Sequence, residues 1–323
     1  MPVATGFRTS LTERLGIRHP VLLAPMGGIA GGRLAAAVTR AGGLGFVGPG
    51  YHDSTWIARE VEAAGGERVG IGFITWHLAR DPARLTRALA HKPAAIMLSF
   101  GDAAPFVAEI RSAGAILFVQ VQTLRAAREA LSLGADVVVA QGTEAGGHGA
   151  ARALLPLLPA VVDVAGAVPV VAAGGIADGR GLAAALTLGA SGVLLGTRFY
   201  AATESRGHPR AQARIIAAGG DDTIRTRVFD IVRGLDWPVP FTGRAIANTF
   251  SRTWHGREAE LSSAGGEVAR YAAAAAAGDH DTAALWAGEG ADLVTAIEPA
   301  AQIVERLVAE ASAALATATS RQV

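Results

Sequence analysis

The stretch TLRAAREALSLGADVVVAQ, Thr123 to Gln141, decides the fold. Its first half is rich in alanine, leucine and arginine and has the length of a short helix. Gly134 stands where a helix C-terminal cap is expected, and the run ADVVVAQ follows at once. That run does not alternate polar with apolar residues. Both of its faces are therefore covered, as in the parallel strands of α/β proteins. The same sentence is written again at GRGLAAALTLGA, where Gly189 precedes GVLLGTRF. Continuous apolar runs recur along the chain: VLLAPM ending near Met26, GLGFVG near Gly48, RVGIGFI near Ile74, AAIMLSF at Phe100, ILFVQV at Val121, DVVVAQ at Gln141, VPVVAAGG at Gly175 and GVLLGTRF at Phe199. Strand and helix alternating through eight repeats predict an α/β fold, a (β/α)8 TIM barrel. An open doubly wound sheet stays the alternative, because counting strands does not establish closure.

After Phe199 the pattern changes. AATESRGHPRAQARIIAAGG reads as the eighth helix. From Asp221 to about Gly290 the chain is irregular, through DWPVPFTGR, RAIANTFSRTWHGRE and the low-complexity YAAAAAAGDHD. ADLVTAIEPAAQIVERLVAEASAAL reads as a terminal helix bent at Pro299. Long irregular stretches in compact domains are usually lids or insertions. The expectation is a barrel over 1–220, a C-terminal helical cap subdomain over 221–290, and a helix over 291–323 returning to the barrel wall.

Composition excludes several classes. The chain has 323 residues, half of them hydrophobic, and a formal net charge of +1. Nothing in that balance recruits nucleic acid or an anionic membrane surface. There is no cysteine, so disulfides, zinc-thiolate sites, iron–sulfur clusters and thiol nucleophiles are out. Lys92 is the only lysine and precedes the fourth strand, so no strand-end lysine is available for a Schiff base. The start MPVATGFRTSLTERLGI lacks a signal-peptide layout. The longest apolar region is broken by Pro156, Pro159, Asp163 and Pro169, which argues against a membrane span. A cytoplasmic protein is expected; a homodimer is left open.

In a barrel the site lies where the strands run out. There the chain places APMGG (Ala24–Gly28), QGTEAGGHGA (Gln141–Ala150), AAGGIADGRG (Ala172–Gly181) and LLGTRF (Leu194–Phe199). Adjacent glycines after the seventh strand, and Gly196 after the eighth, expose backbone N–H groups, which suits a phosphate at Gly174, Gly175, Gly196 and Thr197. Each motif alone reads more readily as a plain turn, and it is the two together at this spacing that point to a phosphate; Asp178 reads as a helix N-cap. His148, beside Gly146 and Gly147, is poised near neutral pH to take a proton. Taken singly, it would more often be a hydrogen-bonded turn residue. Glu144 reads as ordering the loop rather than as an acid. Trp237, Phe241, Phe250 and Trp254 read as packing, and Arg244, Arg252 and Arg257 as a solvated helix face.

Together, AGGIADGRG, GVLLGTRF, the early APMGG and above all EAGGH resemble the nitronate monooxygenase family, formerly called 2-nitropropane dioxygenases, over about residues 15–210. The flavin-dependent enoyl-acyl-carrier-protein reductases are similar in the same elements. The resemblance implies an FMN flavoprotein: a barrel with a helical cap that oxidises nitronates or nitroalkanes with O2 to a carbonyl compound and nitrite. It makes His148 the catalytic base, acting with no metal. It makes Gln141, Gly146 and Gly147 flavin contacts, and places Met26, with Ala24 and Pro25 beside it, against the isoalloxazine. Gly174 and Gly175 fall to the phosphate, with Leu194, Leu195, Gly196 and Thr197 as its binding turn. One departure stands out. Where many relatives carry asparagine at the end of the third strand, this chain reads GIGFITWHL, with Gly72 at that position and Thr75 as a replacement contact. Trp76 and His77 then alter the pocket, and His52 is a further candidate for the mouth. Three other readings stay open: an NAD(P)H-dependent reductase of quinones or enoyl thioesters, a flavin-independent lyase acting on a phosphorylated metabolite, and a non-catalytic flavin-binding protein.

Overall fold

Eight of the apolar runs pair in parallel and close on themselves. In this computed structural model, which describes residues 6–321, the barrel order is β1 (Val21–Leu23), β2 (Leu44–Val47), β3 (Gly70–Ile74), β4 (Ala95–Ser99), β5 (Ile116–Val121), β6 (Val137–Gln141), then, skipping the outlying β7 (Gly147–Gly149), β8 (Val170–Ala173) and β9 (Gly192–Leu195). Val21, Leu22 and Leu23 pair with Val193, Leu194 and Leu195, which shuts the ring. The open-sheet alternative is therefore set aside.

Strand parity sorts the side chains. Leu22, Leu44, Phe46, Met97, Phe118, Val137, Val139, Val171 and Leu194 fill the interior. Leu11 and Leu15 of helix α1 (Ser10–Leu15) join the same cluster. Alternate residues such as Leu23, Val47, Ile96, Leu117, Val138 and Leu195 face outward, against the helices. Continuing the inward series one step brings Met97 to Ser99, Phe118 to Gln120 and Val139 to Gln141. The filling turns polar at the C-terminal ends.

The wall carries α2 (Gly32–Arg40), α3 (Ser54–Ala63), the single turn α4 (Thr75–Leu78), α5 (Ala83–Leu89), α6 (Ala104–Ser112), α7 (Leu124–Ser132), α8 (Leu154–Ala165) and α9 (Gly179–Thr187). Gly134 and Gly189 follow α7 and α9 with φ of +74° and +91°, as the quoted stretch predicts. The last barrel strand leads into the short α10 (Thr197–Tyr200) and then α11 (Pro209–Ala217). The expectation that this segment supplies the eighth wall helix is corrected. Only Ala211, Gln212 and Ile215 of α11 are buried, too short a stripe to cover a barrel strand. It packs instead near Ile246, Leu285 and Val294.

Beyond it lie β10 (Thr223–Thr226), α12 (Val228–Val232), β11 (Thr242–Ile246), α13 (Thr249–Trp254), α14 (Glu258–Ser263) and α15 (Glu267–Ala277). Strands β10, β11 and β7 make an antiparallel sheet in that order, so this region is not purely helical. The alanine run is helical and stops at Gly278 in the left-handed conformation.

The wall is completed by α16 (Ala300–Thr319), which packs along α9 and reaches α2. Its buried Ala300, Ile303, Val304, Leu307, Val308 and Ala311 form one helical stripe. Gly179 permits the close crossing, since a Cβ there would lie 2.3 Å from that of Glu310. Pro299 is the N-cap of this helix and does not bend it. No helix among the described residues is long and apolar enough to cross a membrane.

Candidate active site

A cavity of about 460 Å³ opens at the C-terminal ends of the strands, within the range of pockets that hold cofactors and small ligands. Ala24, Pro25, Met26, Gly72, Gln141, Gly146, Gly147, His148, Gly174, Gly175, Leu194, Gly196 and Thr197 all line it. Among the residues assigned from the sequence to the flavin, its phosphate or the catalytic base, Leu195 does not line it. It is one step out of phase with Leu194, and its side chain lies in the layer between strands and helices. Its carbonyl instead accepts from the Ala24 N–H at 2.9 Å. His52 also lines the cavity, whereas Thr75, Trp76 and His77 do not. The Thr75 hydroxyl is buried without a hydrogen-bond partner among the described residues.

The floor explains Gly72. A Cβ on this residue would lie 2.3 Å from Pro25 Cγ and 2.4 Å from Pro25 Cβ. The proline ring fills the space an asparagine would need, so position 72 offers only backbone. Beside it the Gln120 side-chain nitrogen is buried with no hydrogen-bond partner among the described residues. An orphaned buried donor on a cavity wall suits a ligand that brings an acceptor.

On the β8–β9 side, Gly174 and Gly175 take φ of +117° and +68°, values an L side chain rarely adopts. Their turn leaves main chain, not side chain, facing the cavity. Thr197 opens α10, whose first-turn N–H groups have no intrahelical acceptor. The neighbouring helix α9 is different. Asp178 caps it through Gly181 N–H at 3.2 Å, and Glu310 accepts from Gly179 N–H at 2.8 Å. A phosphate therefore fits between the two glycine turns and α10, with the α9 terminus already satisfied.

The QGTEAGGHGA segment is held from both ends. The Gln122 side-chain amide donates to Gln141 Oε1 at 2.9 Å, and Gln141 Nε2 donates to the His148 main-chain oxygen at 3.0 Å. Glu144 accepts from Leu154 N–H at 2.9 and 3.1 Å, which orders the loop onto α8. Gly146 is required by contact: a Cβ would lie 2.6 Å from the Ala287 and Gly288 main chain. From β10, Arg225 donates to the carbonyls of Thr143, Ala145, Gly149 and Thr242. Burial pushes its guanidinium down to about 10. Arg244 donates to Thr143 O at 2.9 Å and pairs with Glu289 at 2.7 Å. The expectation of a solvated helix face fails for Arg244, which lies on β11 with its side chain 11% exposed.

His148 sits on β7 opposite Gly243. Its Nε2 lies 2.9 and 3.0 Å from the two carboxylate oxygens of Asp230 on α12. The ring stacks on Trp237 at 3.5 Å between centroids and 3° between planes, with Trp286 at 5.1 Å. The Trp237 indole N–H donates to the Tyr51 hydroxyl at 2.8 Å. Burial lowers the His148 pKa below the ordinary imidazole value, Asp230 opposes that shift, and Arg233 and Arg225 add to it. The imidazole is therefore neutral at pH 7.

Asp230, Arg233, Trp237, Trp286 and Tyr51 were missed as functional residues, and Trp237 was read as packing. The only signal was an acid inside the apolar run VFDIV. Histidines aside, Arg233 is the only charged side chain lining the cavity, and no carboxylate lines it among the described residues. Arg233 lies over the Tyr51 ring at 5.3 Å and has no ion pair among the described residues. The arrangement offers a buried neutral base, a mouth that favours anions, and a mononucleotide-sized pocket rich in main-chain donors.

Comparison with known proteins gives an independent result. A family model described as nitronate monooxygenase matches residues 8–66 and 67–310. The nitronate monooxygenase npaC of Metarhizium robertsii is 38% identical over 270 residues, covering 74% of this chain and 74% of its own. FabK from Thermotoga maritima superposes with a TM-score of 0.86 at 28% identity, covering 98% of this chain and 100% of that one. A nitroalkane oxidase from Streptomyces ansochromogenes does so at 0.79 and 31% identity, over 96% and 99%.

Proposed function

The chain belongs to the nitronate monooxygenase family, and from that premise we propose that it binds FMN and oxidises nitronates, or the nitroalkanes that give rise to them, with O2 to a carbonyl compound and nitrite. The observation that carries this reading is one cavity joining His148 to both glycine turns. Gly174, Gly175, Gly196 and Thr197 would hold the phosphate. Ala24, Pro25, Met26, Gly72, Gln120, Gln141, Gly146 and Gly147 would surround the ring system. Bound there, FMN would supply the redox chemistry linking substrate to oxygen.

The residues of the chain supply the rest. Nitroalkanes have acidic α-carbons, so a neutral His148 needs no metal to remove the proton. Arg233 favours an anion at the mouth, which a nitronate is. Trp237 and Trp286 keep water from the imidazole, consistent with residues 221–290 acting as a cover. Cytoplasmic residence and a homodimer remain expectations of the same reading, to be checked by fractionation and sedimentation.

The test begins with a visible spectrum of the purified protein and anaerobic mixing with propionate 3-nitronate, nitroethane, NADH and NADPH. We expect a bound flavin that bleaches with the nitronate. His148→Ala should retain FMN and lower turnover of neutral nitroethane by about 10²–10⁴-fold, while a preformed nitronate, which needs no deprotonation, is still oxidised. A colourless protein unable to take up FMN defeats the proposal. Fast bleaching by NADPH alone would favour the reductase reading, and unchanged turnover in His148→Ala a non-catalytic histidine.

A further inference from the structure

The mechanism above uses His148 but leaves unexplained why a carboxylate is buried behind it. Asp230 has a side chain only 2% exposed, and that of His148 is 9% exposed. Among the described residues the Asp230 carboxylate has no hydrogen-bond partner other than this imidazole. Burying a carboxylate costs several kcal/mol unless its partners compensate, and one shared ring nitrogen is a thin return in stability alone.

We propose that Asp230 is the positioning residue of the site: it keeps the His148 proton on Nε2, so that Nδ1 is the atom that takes the proton from the substrate carbon. An ionised carboxylate only accepts hydrogen bonds, so the ring nitrogen facing it must carry hydrogen. In a neutral imidazole the other nitrogen then holds the lone pair. The distances of 2.9 and 3.0 Å to both oxygens centre that N–H on the carboxylate.

The stack with Trp237 helps to keep Nε2 at the carboxylate. A half-turn of the ring about its Cβ–Cγ bond would have to pass edge-on against an indole stacked at 3.5 Å, so the stack obstructs the passage that would carry Nε2 away from Asp230. Trp237 cannot easily give way, being fully buried and tethered to Tyr51. The main chain is fixed on both sides as well. His148 is in ladder register with β11, and Gln141 holds its carbonyl. Val228, Phe229 and Val232 anchor α12 in the cap core.

The charged groups acting on the ring come from two elements: Asp230 and Arg233 belong to α12 and its end, and Arg225 to β10. Tyr51, hydrogen-bonded to Trp237, is a neutral phenol, its pKa raised to about 12 by burial. Of these only Asp230 favours the imidazolium. In the step itself the substrate C–H bond breaks, its electron pair stays behind to form the nitronate, and the proton moves to Nδ1. The positive charge so created on the ring is met by the carboxylate at Nε2. The assignment deepens the function proposed above and rests on it for the identity of the substrate.

The decisive measurement does not need that substrate. In FMN-loaded protein with ¹⁵N-labelled histidine at pH 7.5, long-range ¹H–¹⁵N spectra should show His148 protonated at Nε2 and pyridine-like at Nδ1. A proton on Nδ1 in the wild type overturns the assignment outright. In Asp230→Asn the amide can donate to Nε2, so the proton should shift toward Nδ1 while the flavin spectrum and FMN affinity stay unchanged. Turnover of neutral nitroethane should then fall by about 10²–10⁴-fold, with preformed nitronate oxidised within about threefold of wild type. In Asp230→Ala the acidic limb of the kcat/KM profile should move to lower pH, because the one group favouring the imidazolium is gone, whereas a purely structural role would leave the limb in place. Asp230→Asn with full nitroethane activity would also overturn the proposal. A wild type that oxidises neither nitroethane nor nitronate would count against the function, leaving the ¹⁵N result to decide the tautomer.

Discussion

A side chain on residue 72 would have nowhere to go. Pro25 fills the space that the asparagine implied by the family resemblance would need, and the two positions meet where the end of β1 packs on β3. Restoring that residue by Gly72→Asn should therefore not restore a flavin contact. We expect a loss of about 1–3 kcal/mol from overpacking and weaker FMN binding as the turn at Ala24–Met26 is displaced. Thermal melts and flavin titration check this; a variant as stable as the parent that binds FMN more tightly would show that Pro25 yields. At this scale the strand-end residues were legible because a barrel puts them in one place. Leu195 was included because the turn was read as a continuous run, whereas strand parity sends alternate side chains to opposite faces. Asp230 and Arg233 were not legible, since they follow no spacing rule and reach the site only through the way the cap folds back.

The three-stranded sheet fastens the histidine loop to the cap. Arg225 satisfies four carbonyls, three of them in the segment from Thr143 to Gly149. Arg225→Met should leave those carbonyls without their donor, at about 1–3 kcal/mol for each one that stays buried. We expect a lower melting temperature and weaker FMN binding, with Arg225→Lys a poor substitute because an ammonium lacks the planar fork. Unchanged flavin affinity in Arg225→Met would show that the loop orders itself. The barrel units were readable because each carries its own signal, an unbroken apolar run and a capping glycine. This sheet was not: β7 is GHG, β10 is TIRT and β11 is TGRAI. Strands so short and polar are specified by partners far away in sequence. The wall helix α16 escaped for a related reason, since sequence order points to α11 while the length of the buried stripe decides for α16.

Across the molecule, His148, His19, His77 and His280 all have pKa values lowered from 6.5, burial being the first cause in each. The sign follows from proton counting. Between the lowered folded values and 6.5 the unfolded chain binds protons that the folded chain does not, so stability rises with pH across that window. It should be complete above about pH 6.5 and decline as the pH falls below it. Each ring adds a slope of at most about 1.4 kcal/mol per pH unit within its own window, and the more solvated rings add less. Melting temperatures of the apoprotein should be level from pH 8 to 7 and fall between pH 6.5 and 5.5. A level profile across that lower range would mean that these rings titrate as they do in water.

The helix that covers the β9–β1 seam has a temporal consequence. Residues 300–319 leave the ribosome about a hundred residues after Leu195 completes the last barrel strand, a delay of roughly 5–20 s at ordinary rates of synthesis. Through that interval a nascent chain owns every barrel strand but not the helix that shields the outward apolar faces of α9 and α2. Trp286, Gly288 and Gly290 of the pocket wall emerge late as well. The pocket proposed to take the cofactor is thus completed late in synthesis, and the half-made barrel is the species on which chaperones would act.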